Sequence, residues 1–411
     1  MPSTEPPTVP MIVSVDDHVV EPAHVWRTWL PAKLRDQGPR VERRGLAGLR
    51  MVGPAIYEHE FDDAAPPCDI WFYEDLVVPL KRHIAAVGFD RDDMTLSPIT
   101  YDEMRDGCYD PRARVEDMTL NHVEASLCFP TFPRFCGQTF LEADDKELAM
   151  AGVRAYNDWM VEEWCGDSDG HLVPLTLVPL WDVDACVAEV RRNAARGVRA
   201  VCFSEIPPHL GLPSIHSGAW DPFLAACAET GTVVCLHAGS SSSAPTTSTG
   251  APSDTIGVLF FGWAMFAAVD WLYSKVPVRF PDIRICLSEG GIGWVAGLLD
   301  RLDHVGRYQR IFGTWEGIEL TPREVMQRNF WFCTIDDHAG LEQRHHIGVD
   351  HIMVESDYPH QDGTWPDTQA IVWSQIGGFP PDETARIAWR NAAELFRHPV
   401  PVALQSDPDA I

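Results

Sequence analysis

The sequence predicts an α/β protein, a TIM-like (β/α)8 barrel, and three observations predict it. Eight apolar or β-branched runs of strand length recur along the 411 residues. Helical patterns separate several of them. Acidic or imidazole side chains stand at the ends of five: MIVSV runs into Asp16, VRAVCFS into Glu205, TVVCL into His237, IRICLS into Glu289 and HIMVES into Asp357. Such groups at the C-terminal end of a buried strand are poorly placed for packing and well placed for chemistry, because parallel barrels carry their active sites at that face.

In order, the predicted strands are residues 12–18, 124–130, 171–178, 198–204, 232–237, 283–288, 329–335 and 351–356. DACVAEVRRNAARG follows the third as a helix, and AWDPFLAACAETG follows the fourth, with a glycine closing it. An open doubly wound sheet is the competing architecture, but no GxGxxG or Walker pattern follows the first strand. Strands one and two lie far further apart than one crossover helix requires. Residues 38–122 are therefore expected to be an insertion, either a cap over the barrel mouth or a peripheral extension on the outer helices. The barrel is expected over 12–398, with disordered tails at 1–11 and 399–411. AGSSSSAPTTSTGAPSD, residues 238–254, reads as a flexible loop and a gate beside His237.

Composition excludes several functions. The formal charge of -28, with 60 acidic against 32 basic residues, disfavours a nucleic-acid groove or an anionic membrane surface. No apolar run is long enough for a transmembrane helix, and MPSTEPPTVP lacks the marks of a signal peptide. The 11 cysteines are scattered without a CxxC pair, which favours reduced thiols and a cytoplasmic setting. A homo-oligomer is compatible with all of this.

Asp16 and His18 are two residues apart on a strand, so both project to one face while Asp17 points away. A D-x-H pair alone also suits a structural hydrogen bond. Joined by Glu205, His237, Glu289 and Asp357 at one barrel mouth, it would leave a large uncompensated charge without a metal ion. Glu205 could equally pair with a barrel arginine, and Glu289 could orient His237 as an outer acceptor. His360, three residues beyond Asp357, suits an acid, a base, a further ligand or a loop-ordering bond. Glu21 is expected to anchor the turn after strand one, and His304 to be structural or to support the site from outside. No G-x-S-x-G element points to an acyl-enzyme.

The order of these groups resembles the amidohydrolase superfamily. Asp16 and His18 match the strand-one pair, Glu205 the strand-four bridge, His237 the strand-five histidine and Asp357 the strand-eight aspartate. Asp16 stands where histidine is usual, and Glu289 where a strand-six histidine is expected. SVDDHVVEP, GCYDPRAR, FPTFPRF, LSEGGIGW and SDYPHQDGTWP resemble an actinobacterial amidohydrolase-related branch near the aminocarboxymuconate-semialdehyde and resorcylate decarboxylases. Within that branch the carboxylate-rich set resembles the nonheme diiron monooxygenase of platensimycin and platencin biosynthesis. The resemblance implies two Fe held by Asp16, His18, Glu205, His237, Glu289 and Asp357, with Glu205 bridging. Glu289, Asp357 and His360 are then catalytic, the substrate is a bulky diterpenoid acyl-thioester such as a CoA thioester, and an unnamed electron donor is needed. Trp71, Phe72, Phe129, Phe132, Phe135, Phe140 and Trp294 would supply the apolar walls. The alternative implied by the wider superfamily is a hydrolase or nonoxidative decarboxylase using a single Zn or Mn.

Overall fold

The computed structural model describes residues 11–53, 56–243, 245–246, 248 and 250–401. The tails expected at 1–11 and 399–411 therefore fall almost wholly outside the described residues. Strand β1, Ile12–Val19, is entirely buried and carries the first pair of candidate ligands. After it come four strands of the long insertion: β2 (Arg40–Gly53), β3 (Ile56–Phe61), β4 (Pro67–Tyr73) and β5 (Leu76–Pro79). The remaining barrel strands are β6 (Val123–Pro130), β7 (Leu172–Val173), β8 (Leu175–Thr176), β9 (Ala200–Phe203), β10 (Val233–His237), β11 (Arg284–Ser288), β12 (Phe330–Thr334) and β13 (Ile352–Val354).

All pairings in the main sheet are parallel, in the order β7-β6-β1-β13-β12-β11-β10-β9-β8. Its two edges are consecutive in the chain. The third predicted strand, 171–178, is split at Pro174, which has no N–H to give to a ladder. Leu172–Val173 bonds to β6, and Leu175–Thr176 bonds to β9, so one interrupted strand joins both ends of the sheet. The eight predicted runs thus correspond to the barrel strands.

Crossover helices begin and end where local chemistry dictates. Helix Val183–Ala195 starts at Asp182, whose carboxylate accepts the Ala185 N–H. Helix Asp221–Thr230 stops at Gly231, which takes the left-handed φ of 67°. No helix among the described residues is long and apolar enough to cross a membrane.

Within residues 38–122, β2 to β5 form an antiparallel sheet in the order β3-β2-β4-β5. Gly45 lets β2 pass from β4 to β3, since a Cβ there would lie 2.0 Å from the Asp62 carbonyl oxygen. Trp71 of β4 packs edge-on against Trp26 at 5.1 Å and against Phe132 at 4.8 Å, joining this sheet to the barrel core. The Tyr101 hydroxyl donates to the Glu21 carbonyl at 2.6 Å. Further on, the Ala86 N–H donates to Pro359 O at 2.7 Å and the Gln361 N–H to His83 O at 2.9 Å, so the segment meets the loop that follows β13.

Glu21 orders the barrel mouth through its carboxylate, which accepts the N–H groups of Thr131 at 3.0 Å and Phe132 at 2.8 Å. Burial pushes its pKa up from 4.5 to about 7. Because the folded-state value exceeds the unfolded one, this group's stabilising contribution is full below pH 4.5 and is lost as pH rises through about 7. Glu21→Gln should therefore flatten the decline in unfolding free energy between about pH 5 and 8, read from urea titrations across that range. An unchanged pH profile would refute the assignment.

Candidate metal centre

All seven candidate residues lie at one end of the parallel strands, and several are tied through their backbones. The Asp357 N–H donates to Asp16 O at 2.9 Å, and the His18 N–H to Tyr358 O at 2.6 Å. Asp357 and Glu289 both adopt a left-handed φ of 52° just beyond their strands. Strain of this kind in non-glycine residues concentrates at functional sites.

Two groups of side chains converge and share His18. His18 Nε2 lies 3.6 Å from Asp16 Oδ1 and 3.3 Å from Asp357 Oδ1. His237 Nε2 lies 3.5 Å from Asp16 Oδ1 and 3.3 Å from His18 Nε2. Donor atoms of Asp16, His18 and His237 all fall within 4.8 Å of one another, as do those of His18, Asp357 and His360. Glu289 Oε2 reaches His237 Nε2 at 3.2 Å, and His360 Nδ1 reaches Asp357 Oδ1 at 3.1 Å.

These contacts suit a cation better than they suit each other. His237 Nδ1 is 2.6 Å from the Ala238 carbonyl oxygen, which fixes the proton on Nδ1 and turns the Nε2 lone pair inward. The Nε2 atoms of His18 and His237 face each other at 3.3 Å, where one ion could take both lone pairs. Both carboxylate oxygens of Asp16, and Oδ2 of Asp357, are buried with no hydrogen-bond partner. Donors held about 2.1 Å from one tetrahedral ion stand roughly 3.4 Å apart, close to the spacings observed.

The electrostatics agree. Burial first, then the charges of Glu355, Glu289 and Asp357, raises the Asp16 pKa well above its ordinary value. Burial, then Asp357 and Glu355, does the same to Glu289. Burial pushes His18 down to about 4 and lowers His237 strongly, keeping both imidazoles neutral and able to ligate. Asp357 is the exception: burial opposes its charge, yet the imidazoles of His360 and His18 hold its carboxyl below the usual range. A bound divalent cation would relieve this crowding of acids.

Aromatic rings wall the centre. Phe135 stacks on His237 at 4.0 Å, Phe129 meets it edge-on at 4.8 Å, and His360 stacks on His18 at 3.7 Å. Of the other aromatic candidates, Trp71, Phe132 and Phe140 pack around Trp26, Phe72 belongs to the small core of the insertion, and Trp294 packs edge-on against Phe332.

Glu205 is placed differently from the other candidates. Its Oε1 accepts the N–H of Gly239 at 2.9 Å, the N–H of Ser241 at 3.3 Å and the Ser241 hydroxyl at 2.8 Å, while Oε2 is buried without a partner. Neither group of clustered donors includes it. Residues 238–243, expected to open a flexible gate, are tied down by these bonds and by Gln138 Nε2, which donates to Ser240 O at 3.0 Å. His304 is exposed on helix Val295–Tyr308, against Tyr308.

Asp17 points away from the donors, as its place in the strand requires. Its carboxylate accepts from the hydroxyls of Ser14 at 3.0 Å and Ser356 at 2.5 Å, from the Ser126 hydroxyl, and from the Tyr358 N–H at 3.1 Å. Sequence reasoning missed Glu355, a buried carboxylate that accepts the Glu289 N–H at 3.0 Å. Its place directly after β13, two residues before Asp357, was the available signal.

Solved structures share this architecture. An amidohydrolase from Mycobacterium avium subsp. paratuberculosis K-10 is 22% identical, with TM-score 0.67 over 94% of this chain and 99% of that one. A 5-carboxyvanillate decarboxylase from Novosphingobium aromaticivorans, complexed with manganese and 4-hydroxy-3-methoxy-5-nitrobenzoic acid, is 13% identical, with TM-score 0.61 over 94% and 96%. A 2,6-dihydroxybenzoate decarboxylase from Rhizobium is 15% identical, with TM-score 0.57 over 94% and 99%. No curated protein sequence matches the chain. Its sequence does match a family as a whole over residues 23–398, nearly all of the barrel whose mouth gathers these donors, and the chain belongs to that family, Amidohydrolase.

Proposed function

We propose that this chain is a nonoxidative decarboxylase of small aromatic carboxylic acids that works with one divalent cation, Zn or Mn. The observation that carries the reading is that Asp16, His18 and His237 donors gather at spacings that suit a single ion, beside a second group, His18, Asp357 and His360, that shares His18. It is supported by structural relatives that decarboxylate 5-carboxyvanillate and 2,6-dihydroxybenzoate, one of them complexed with manganese. The two-iron reading, with its acyl-thioester substrate and electron donor, is not carried forward. Its bridging residue, Glu205, spends one oxygen on the loop after His237, and no relative reported above is an oxygenase.

Asp16, His18, His237 and Asp357 would hold the ion, which when bound supplies positive charge to polarise and orient a substrate carboxylate. Glu289 and His360 are the partly exposed members, at 19% and 17%, and are assigned to proton delivery. The bond between ring carbon and carboxylate breaks, the electron pair stays on the ring carbon, that carbon takes a proton and CO2 leaves. Nothing is oxidised or reduced. Phe129 and Phe135 give a planar substrate an apolar wall, and residues 38–122 are assigned to covering it as a cap. All eleven cysteines are free, which suits the cytoplasmic setting included in this proposal.

Manganese-loaded and zinc-loaded protein should release CO2 from at least one hydroxybenzoate, at the same rate with and without oxygen. In D2O the product should carry one ring deuterium per turnover. A requirement for oxygen, a hydroxylated product or two irons per chain would sink the reading.

A further inference from the structure

Residues 309–321 connect helix Val295–Tyr308 to helix Pro322–Asn329, and none of those described is buried. The connection is nonetheless tied at several points. Gly313 and Gly317 take left-handed φ of 63° and 76°, Trp315 Nε1 donates to Leu320 O at 2.7 Å, and the Trp315 ring meets Tyr273 at 5.5 Å. Thr321 ends it in a capping box with Glu324. These ties present apolar side chains to the outside: Tyr308 is 72%, Ile311 86% and Phe312 79% exposed. Ile311 and Phe312 are the two most exposed large hydrophobic side chains among the described residues. Single exposed hydrophobics are ordinary on a protein surface, but a cluster of them marks a surface that is covered.

Beside this apolar tip lies a groove of about 750 Å³ with Tyr273, Leu302, Val305, Phe312 and Trp315 among its walls. One surface thus carries a projection and a recess of the same chemistry. That is what a two-fold interface requires, because each copy offers both to the other. The charges are self-complementary in the same way. Arg307, Glu316 and Glu319 stand exposed around the groove, and none of the three has an ion-pair partner among the described residues. Arg307 Nε donates only to the Asp303 carbonyl at 3.3 Å. In area, Tyr308, Ile311 and Phe312 together offer roughly 400 Å² of mostly apolar surface. The apolar share of a standard interface of ~800 Å² per partner is of the same order. The net charge of -28 repels an anionic membrane, whereas a second copy can meet this face with both signs of charge.

We propose that this face is the interface of a two-fold homodimer. Ile311 of each copy enters the groove of the other, Tyr308 and Phe312 pack around it, and Arg307 faces the partner's Glu316 and the partner's Glu319 at the rim. The inference is independent of the reaction assigned to the metal centre.

Sedimentation equilibrium of the full chain tests it. Wild type should be dimeric at micromolar concentration, and Ile311→Asp should raise the dissociation constant at least ~100-fold with an unchanged circular dichroism spectrum. Arg307→Glu should weaken association about tenfold, and adding Glu316→Arg and Glu319→Arg to it should restore the dimer, a rescue that a merely structural loss would not give. Ile311→Cys should be cross-linked between copies by a bismaleimide, against ten native cysteines that are buried and Cys165, which is part-buried. A monomeric wild type, or a dimer that Ile311→Asp leaves intact, overturns the interface. Co-sedimentation of a monomeric wild type with phosphatidylglycerol vesicles, lost in Ile311→Asp, overturns it as well and gives the face to a lipid surface.

Discussion

His237→Ala should yield a folded barrel that neither retains a divalent metal nor turns over. His237 has its Nδ1 committed to Ala238 O at 2.6 Å, and its Nε2 is within 3.5 Å of both Asp16 and His18. On the proposed metal site, removing it takes away a ligand rather than an outer support. Metal affinity should therefore fall by more than the ~100-fold typical of losing a supporting group. The metal-free protein should also lose stability, since a fully buried ring stacked on Phe135 and bonded to Ala238 O is removed, but it should remain folded. Metal content by elemental analysis, beside circular dichroism, checks both halves. Stoichiometric metal in a folded variant would remove His237 from the ligand set.

Asp17→Ala should produce the largest loss of stability, about 3–5 kcal/mol, the scale for breaking a buried charge network. Three serine hydroxyls and the Tyr358 N–H would lose their acceptor at once. Arg114, fully buried and held by the carbonyls of Gly107 at 2.7 Å and His18 at 2.6 Å, would lose the carboxylate whose charge it offsets. The neighbouring Asp16→Ala should behave in the opposite way in metal-free protein, since both Asp16 oxygens are buried without partners and their removal relieves repulsion. Urea unfolding of the two variants makes the comparison. Equal destabilisation would show that Asp16 also has a structural role.

The contrast between these adjacent aspartates was legible in the sequence because strand side chains alternate with period two. Barrel strands were legible for a related reason: parallel strands buried on both faces read as continuous apolar runs, as in TVVCL and IRICLS. The insertion was harder. VERRGLAGLR mixes charge, glycine and leucine without clean alternation, and its strands exist through pairing with β3 and β4. The gathered donors were visible because Asp16 and His18 share one face of β1 while His237 and Asp357 stand at or just beyond the ends of β10 and β13. The different setting of Glu205 was not, because what separates it from Glu289 is a loop that folds back to bond its carboxylate. Counting carboxylates suggested two metals, whereas the donors that cluster most closely are Asp16, His18 and His237.

The pairing of β1 between β6 and β13 also bears on the order in which the site can be made. Ser14 is in register with Val354, while its other neighbour is Ser126. During synthesis the segment bearing Asp16 and His18 emerges early and can pair with β6, but its second edge stays open until the chain has been made past Val354. Loop closure across that interval is a long-range, slow event. Asp357 follows within three residues of Val354, so the last barrel strand closes the ring and delivers the last donor in one step. Assembly of the metal centre is thereby coupled to completion of the barrel, and nascent chains ending before β13 would present histidine and aspartate to the solvent without a site to hold an ion.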